Sequence, residues 1–330
     1  MLTQKFINTG VRLALTALLG TGFALGAAAQ AADYPERAIT VIVPFPAGGG
    51  GDTLARIATE AIGRQLGQTL IVENRPGAGG NIGTSQVARA KPDGYTLGYG
   101  TNGTGAINHW LYSNPGYSNA DLEPISRLTT IAAALVVNPD SKYKTVKDLV
   151  DYGKANPDSL TCGSAGNGTT SHLACELFKQ MTGVSILHIP YKGGAAAMTD
   201  LMGGRVDLLI DVMPNLSGQI EAGKLRPLAV TMKKRLDSHP NIPTMEEAGV
   251  PGYDFFAWDA IWAPKGTPTE VLDRLNEAAR KAMSDPKTVA ILKARGADTA
   301  PTSREELASF VQEEYTRLGE VVKKSGARVD

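Results

Sequence analysis

Short β-branched apolar runs alternate along this chain with stretches of helical period. Residues 39–43, Ile-Thr-Val-Ile-Val, read as a strand covered on both faces. The segment 44–51 breaks it, Asp52 reads as the N-cap of a helix over 53–66, and Gly67 stops that helix. A strand over 70–72 ends at Asn74-Arg75-Pro76-Gly77, a helix follows over 81–90, and a third strand spans 95–99 after the turn 91–94. This βαβαβ alternation predicts an α/β fold with a parallel sheet.

The alternation then recurs. Strands are predicted at 131–137, 160–163, 186–189 and 206–210, with helices over 170–181 and 195–202. Thr145 with Asp148 reads as a capping box for another helix. The last third is more helical. A box at Thr267-Pro268-Thr269-Glu270 opens a helix to 283, and Ser303 with Glu306 opens one to 323. No low-complexity linker divides the two α/β units, so the chain is expected to cross between them several times.

The first 31 residues stand apart from this pattern. Lys5 and Arg12 precede an apolar run over 13–25, and Ala27-Ala28-Ala29 and Ala29-Gln30-Ala31 are both cleavage-type triplets. Residues 1–31 therefore read as a secretory signal, and the remainder as a soluble exported protein. The full chain carries 33 basic and 33 acidic groups; without the signal the balance is 31 to 33. That argues against a nucleic-acid partner, which needs a basic surface. A 42% apolar and 20% charged composition excludes wholesale disorder. Of the two cysteines, Cys162 takes a strand position and Cys175 a helix position, which reads as two buried thiols better than as a disulfide.

In open α/β sheets, ligands sit at the carboxyl ends of strands. After the first strand come Phe45, Ala47, Gly48, Gly49, Gly50 and Asp52; after the third, Thr101 and Thr104. The second unit offers Ser164, Gly168, Thr169, Thr170 and Ser171, then Tyr191 beside Lys192, then Asp211. Glycine lets backbone N–H groups approach a ligand, helix N-termini favour anions, and hydroxyls donate and accept. With Lys192 the one cation, the set predicts a small carboxylate held by neutral donors. Tyr253, Phe255, Phe256, Trp258 and Trp262 read first as interdomain core, with Trp258 or Phe45 as a pocket wall.

Other chemistries fail on spacing. Neither Gly48-x-Gly50 nor Gly49-x-Gly51 is completed, since Thr53 and Leu54 stand where the third glycine belongs, and no P-loop is present. No cofactor is therefore expected. His172 and Glu176, at i and i+4, read as a partly exposed helix face and not a metal pair, so no metal is expected either. No G-x-S-x-G elbow, H-E-x-x-H motif or nucleophile–base pair is legible, which argues against an enzyme.

In order along the chain, Tyr34-Pro35, residues 44–49 with Asp52 and Ala55-Arg56, residues 72–80, Pro92-Asp93-Gly94-Tyr95-Thr96-Leu97, Gly168-Thr169 with His172-Leu173, Pro190-Tyr191-Lys192-Gly193, and Trp258 with Ala263-Pro264 and Gly266-Thr267-Pro268 resemble the substrate-binding proteins of tripartite tricarboxylate transporters, the Bug receptors. The resemblance implies a two-lobed periplasmic binding-protein fold of type II character, with two parallel-sheet α/β domains and a ligand cleft between them. Lobe one would comprise 33–132 plus 256–330, and lobe two 133–255. It implies a periplasmic receptor that delivers an organic acid to the permease subunits of a tripartite transporter. Loops 45–52 and 164–171 would grip the carboxylate, often through ordered water. Cys175, Ala260 and Trp262 depart from the family pattern, and the last two bear on the ligand. Di- and tricarboxylates, acidic amino acids and aromatic carboxylates all remain open, the aromatic cluster favouring the last. A periplasmic sensor with a signalling partner and a secreted hydrolase are the competing readings.

Overall fold

Ile39, Val41, Ile42 and Val43 are all essentially solvent-free, so strand β1 (Ile39–Val43) is covered on both faces as its composition requires. The computed structural model describes residues 34–329, so the export signal read at 1–31 lies outside the described residues. β1 lies parallel to β2 (Leu70–Asn74) and to β3 (Thr96–Thr101). Helices α1 (Gly50–Leu66) and α2 (Asn81–Ala88) make the crossovers, and α3 (Asn108–Leu111) follows β3. A second parallel set is built from β5 (Leu160–Ser164), β6 (Ile186–Pro190) and β7 (Leu208–Val212). Its helices are α4 (Val146–Ala155), α5 (Thr170–Thr182), α6 (Gly194–Met202) and α7 (Met213–Glu221).

Two long strands join the sets. β4 (Leu122–Val137) pairs antiparallel with β9 (Phe256–Pro264) through Ala132, then with β7 from Ala133 and with β8 (Arg226–Val230) from Ala134 onward. β3 also pairs antiparallel with β9, giving the order β2-β1-β3-β9-β4-β7-β5-β6. The sheet is thus mixed, a correction to the purely parallel expectation. Strands that pass between the two halves enter against the direction of their neighbours. Helices α8 (Thr269–Ser284), α9 (Pro286–Lys293) and α10 (Arg304–Ser325) complete the chain, with β10 (Ala297–Thr299) paired to β4. Among the described residues no helix is long and apolar enough to cross a membrane.

β4 begins nine residues before its apolar run because polar positions inside it are paired. Ser126 Oγ donates to the Thr302 carbonyl (3.0 Å), and Thr129 Oγ1 to Asp259 Oδ2 (2.9 Å). The capping boxes at Thr145/Asp148 and Ser303/Glu306 form as expected. The one at Thr267 does not: Pro268 is the N-cap of α8, and the Thr267 hydroxyl turns back to the Pro264 carbonyl (2.8 Å). Nor does Asp52 cap α1; Gly49 does, and Asp52 sits within the first turn.

Cys162 and Cys175 form a disulfide between β5 and α5, with Cα atoms 6.7 Å apart, which corrects the expectation of two thiols. Its 13-residue separation closes the segment that carries loop 164–171. The unfolded protein is expected to titrate no free thiol. A loop of this length is worth about 3 kcal/mol in the chain-entropy model, so reduction should lower the melting temperature measurably. Two reactive thiols in the unreduced, denatured chain would contradict the pairing.

Candidate ligand-binding cleft

Three helices begin at one place. The N-caps of α1, α5 and α6 are Gly49, Thr169 and Gly193, and all three line one cavity of about 910 Å³ at the carboxyl ends of β1, β5 and β6. Each start exposes N–H groups and the positive end of a helix dipole. One wall is formed by 44–51, 76–80, Thr101 and Gly103; the other by 165–171, 190–196, Asp211 and Asn215. Hydrogen bonds cross between the walls. Gly50 N donates to Asn215 Oδ1 (2.7 Å), Thr170 Oγ1 to Asn102 Oδ1 (2.8 Å), and the Tyr112 hydroxyl to the Asn167 carbonyl (3.3 Å). Backbones also meet across the gap: a Cβ added at Gly79 would lie 2.7 Å from the Asn167 carbonyl oxygen.

Twelve of the expected site residues line this cavity: Phe45, Ala47, Gly48, Gly49, Gly50, Thr101, Gly168, Thr169, Thr170, Ser171, Tyr191 and Asp211. Four do not, and each has a structural task behind the wall. Asp52, 3% exposed, accepts from Gly48 N (2.8 Å), Arg56 Nε (3.0 Å) and Asn74 Nδ2 (2.8 Å), bracing the glycine loop. Burial works to raise its pKa, yet these bonds hold it below the ordinary value. The Thr104 hydroxyl accepts from Thr101 N (3.1 Å) and caps the end of β3. Ser164 is fully buried against His188. Trp258 is core: it is fully buried, and its Nε1 donates to Glu314 Oε2 (3.0 Å).

Residues 76–80, Asn215 and Asp259 line the cavity without having been expected there, and Asn167 lines it within the expected loop 164–171. The first follows the carboxyl end of β2, so the strand-end rule already pointed there. Asp259 was hidden because β9 reads as an aromatic cluster and not as a strand. Lys192, exposed, is the one cation lining the cavity among the described residues, against two acids. Burial pushes Asp211 up to about 6, although Asn215 Nδ2 and Val212 N donate to it (both 2.8 Å). Burial pushes Asp259 up to about 7, against the Tyr99 and Thr129 hydroxyls that donate to it.

His172 and Glu176 do not form an exposed face; they are 4% and 5% exposed. Glu176 pairs with Lys179 (2.9 Å), and His172 stacks on His188 with ring centroids 4.1 Å apart. Among the described residues no group of three metal-ligating side chains occurs. Ser164 Oγ and His188 Nε2 are 2.6 Å apart, a nucleophile–base distance that sequence separation concealed. The hydroxyl is solvent-free, also accepts from Gly166 N and lies outside the cavity lining, so it braces the loop from behind.

Burial and the neighbouring His188 push His172 down to about 3, and burial pushes His188 down to about 4. Both rings are neutral in the native state, whereas the unfolded rings protonate near pH 6.5. The unfolded chain therefore binds more protons below that pH. Native stability should fall as pH drops from 6.5 towards 4, by up to about 1.4 kcal/mol per pH unit per histidine. A melting-temperature profile should be flatter in this window for His188→Asn than for the wild type; superimposable profiles would refute the assignment.

Residues 54–327 match the model of the family described as tripartite tricarboxylate transporter family receptor. Protein BugT of Bordetella pertussis is 36% identical over 307 residues, covering 92% of this chain and 94% of that protein. The solved structure of the periplasmic binding protein BugD is 40% identical, covers 89% of this chain and 99% of its own, and superposes with a TM-score of 0.84. R. palustris Rpa4515 with adipate is 39% identical, covers 90% of this chain and 100% of its own, and has a TM-score of 0.87.

Proposed function

The chain belongs to the tripartite tricarboxylate transporter receptor family, and from there we propose that it is a periplasmic solute-binding receptor. It captures one small organic carboxylate between two lobes and hands it to a membrane permease without transforming it. The observation that carries this reading is the convergence of three helix N-termini, capped by Gly49, Thr169 and Gly193, on one cavity. Such a wall offers neutral N–H and hydroxyl donors to an anion. The adipate held by Rpa4515 is a ligand of this class.

Lobe one is taken as 33–132 plus 256–330 and lobe two as 133–255. In support, β4 changes partner from β9 to β7 between Ala132 and Ala133, and β9 begins at Phe256. The bonds from Gly50 to Asn215 and from Thr170 to Asn102 then run from lobe to lobe and hold a closed cleft. A ligand that binds only the closed form raises stability by RT ln(1 + [L]/Kd), about 2.7 kcal/mol at a hundredfold excess over Kd. A thermal-shift panel of organic acids with product analysis tests this. A shift with at least one acid, which is recovered unchanged, is expected. Turnover of the acid, or no shift with any of them, would refute the reading.

A further inference from the structure

We propose that Asp259 takes up one proton as the ligand enters, so that capture of a carboxylate is proton-linked and weakens as pH rises. The inference rests on the carboxylate-receptor reading and adds a proton to the bound state. Along β9, Ala257 and Asp259 line the cavity while Trp258, between them, is buried on the other side. Asp259 is 2% exposed and Asp211, the other acid of the cavity, 3%. The one cation lining the cavity among the described residues, Lys192, is exposed. An anion that enters therefore shares a desolvated space with two carboxyl groups and no buried cation, and it disfavours their charged forms.

Which of the two acids receives the proton is decided by their donors. Asp211 is held by N–H groups: Val212 N donates to its Oδ1 and Asn215 Nδ2 to its Oδ2 (both 2.8 Å). An N–H cannot accept, so a proton on Asp211 would face a donor. Asp259 is held by the hydroxyls of Thr129 (2.9 Å) and Tyr99. A hydroxyl both donates and accepts, so either bond can reverse when Asp259 becomes an acid, and the carboxyl keeps its partners. Burial already pushes Asp259 up to about 7, so a modest further rise draws a proton near neutral pH. From β3 it is faced by Tyr99; burial and the Asp259 charge hold that phenol well above its ordinary value, so it stays neutral. β4 brings the uncharged Thr129, and α1 brings Asp52, whose charge reaches Tyr99 and is paired with Arg56 (3.0 Å). Asp211 and Lys192 belong to the opposite wall. The bound state holds the extra proton, so affinity is level below the free protein's titration and falls as pH rises through it.

The test is calorimetry on the full mature protein with whichever of adipate, malate, glutamate and benzoate gives the largest thermal shift. At about pH 7.5, buffers of low and high ionisation enthalpy should reveal uptake of more than about half a proton per ligand. Kd should weaken about tenfold between about pH 6.5 and about pH 8.5. The ligand's own carboxyls are ionised throughout this window, so the slope belongs to the protein. In Asp259→Asn both effects should vanish. In Tyr99→Phe, which removes a donor to the charged form, the fall in affinity should move to higher pH. A wild type with no proton uptake and level affinity would overturn the proposal and leave the receptor reading standing, and this comparison needs no variant. Uptake that persists in Asp259→Asn, or a Tyr99→Phe profile that stays in place, would remove Asp259 from the role. If no acid of the wider panel binds, the receptor reading itself fails and the proposal falls with it.

Discussion

A Gly49→Leu variant should fold normally and lose ligand binding by more than about 100-fold, a difference of roughly 2.7 kcal/mol. The fold has no reason to object. Gly49 has φ −76°, an ordinary conformation for any residue, and an added Cβ would meet nothing nearer than the Pro46 carbonyl oxygen at 3.6 Å. The cavity does have reason, because Gly49 both lines it and caps α1. A leucine there would place four carbons across the N–H groups that approach the anion. Calorimetric Kd and a melting curve for the free protein separate the two effects. Unchanged affinity would show that the glycine loop does not touch the ligand.

Asn215→Ala should weaken binding about 10- to 150-fold through a different route. Asn215 accepts from Gly50 N across the cleft at 2.7 Å and donates to Asp211 at 2.8 Å. Its loss frees the closed form's latch and leaves the buried Asp211 carboxyl short of a donor. Small-angle scattering at subsaturating ligand should then show a larger fraction of extended molecules than in the wild type. Wild-type Kd and scattering in the variant would mean that this contact does not govern closure.

What the sequence made legible, and what it hid, follows one physical line. β1 announces itself because a strand covered on both faces needs an unbroken apolar or β-branched run, and α4 and α10 because the capping boxes at Thr145 and Ser303 open them. The strand-end rule then led to most of the cavity wall. The first nine residues of β4 and all of β9 stayed hidden because polar groups inside them are satisfied by remote partners. Ser126 finds Thr302 and Thr129 finds Asp259, pairings of 176 and 130 residues' separation that no local pattern encodes. The same blindness displaced four site residues. Trp258, Ser164, Thr104 and Asp52 lie in or near the right loops, but their side chains are consumed by Glu314, His188, Thr101 and Arg56. Their neighbours in the chain line the cavity, and only side-chain direction separates a residue that lines it from one that braces the loop behind it.

Capture of a small acid in a closed cleft should be visible directly by native mass spectrometry of freshly purified protein. One small carboxylate per chain should be bound, lost on mild activation and absent from Gly49→Leu prepared in parallel. A wild-type chain that carries no acid and takes none up from a mixture of organic acids, or an equal load on Gly49→Leu, would contradict it.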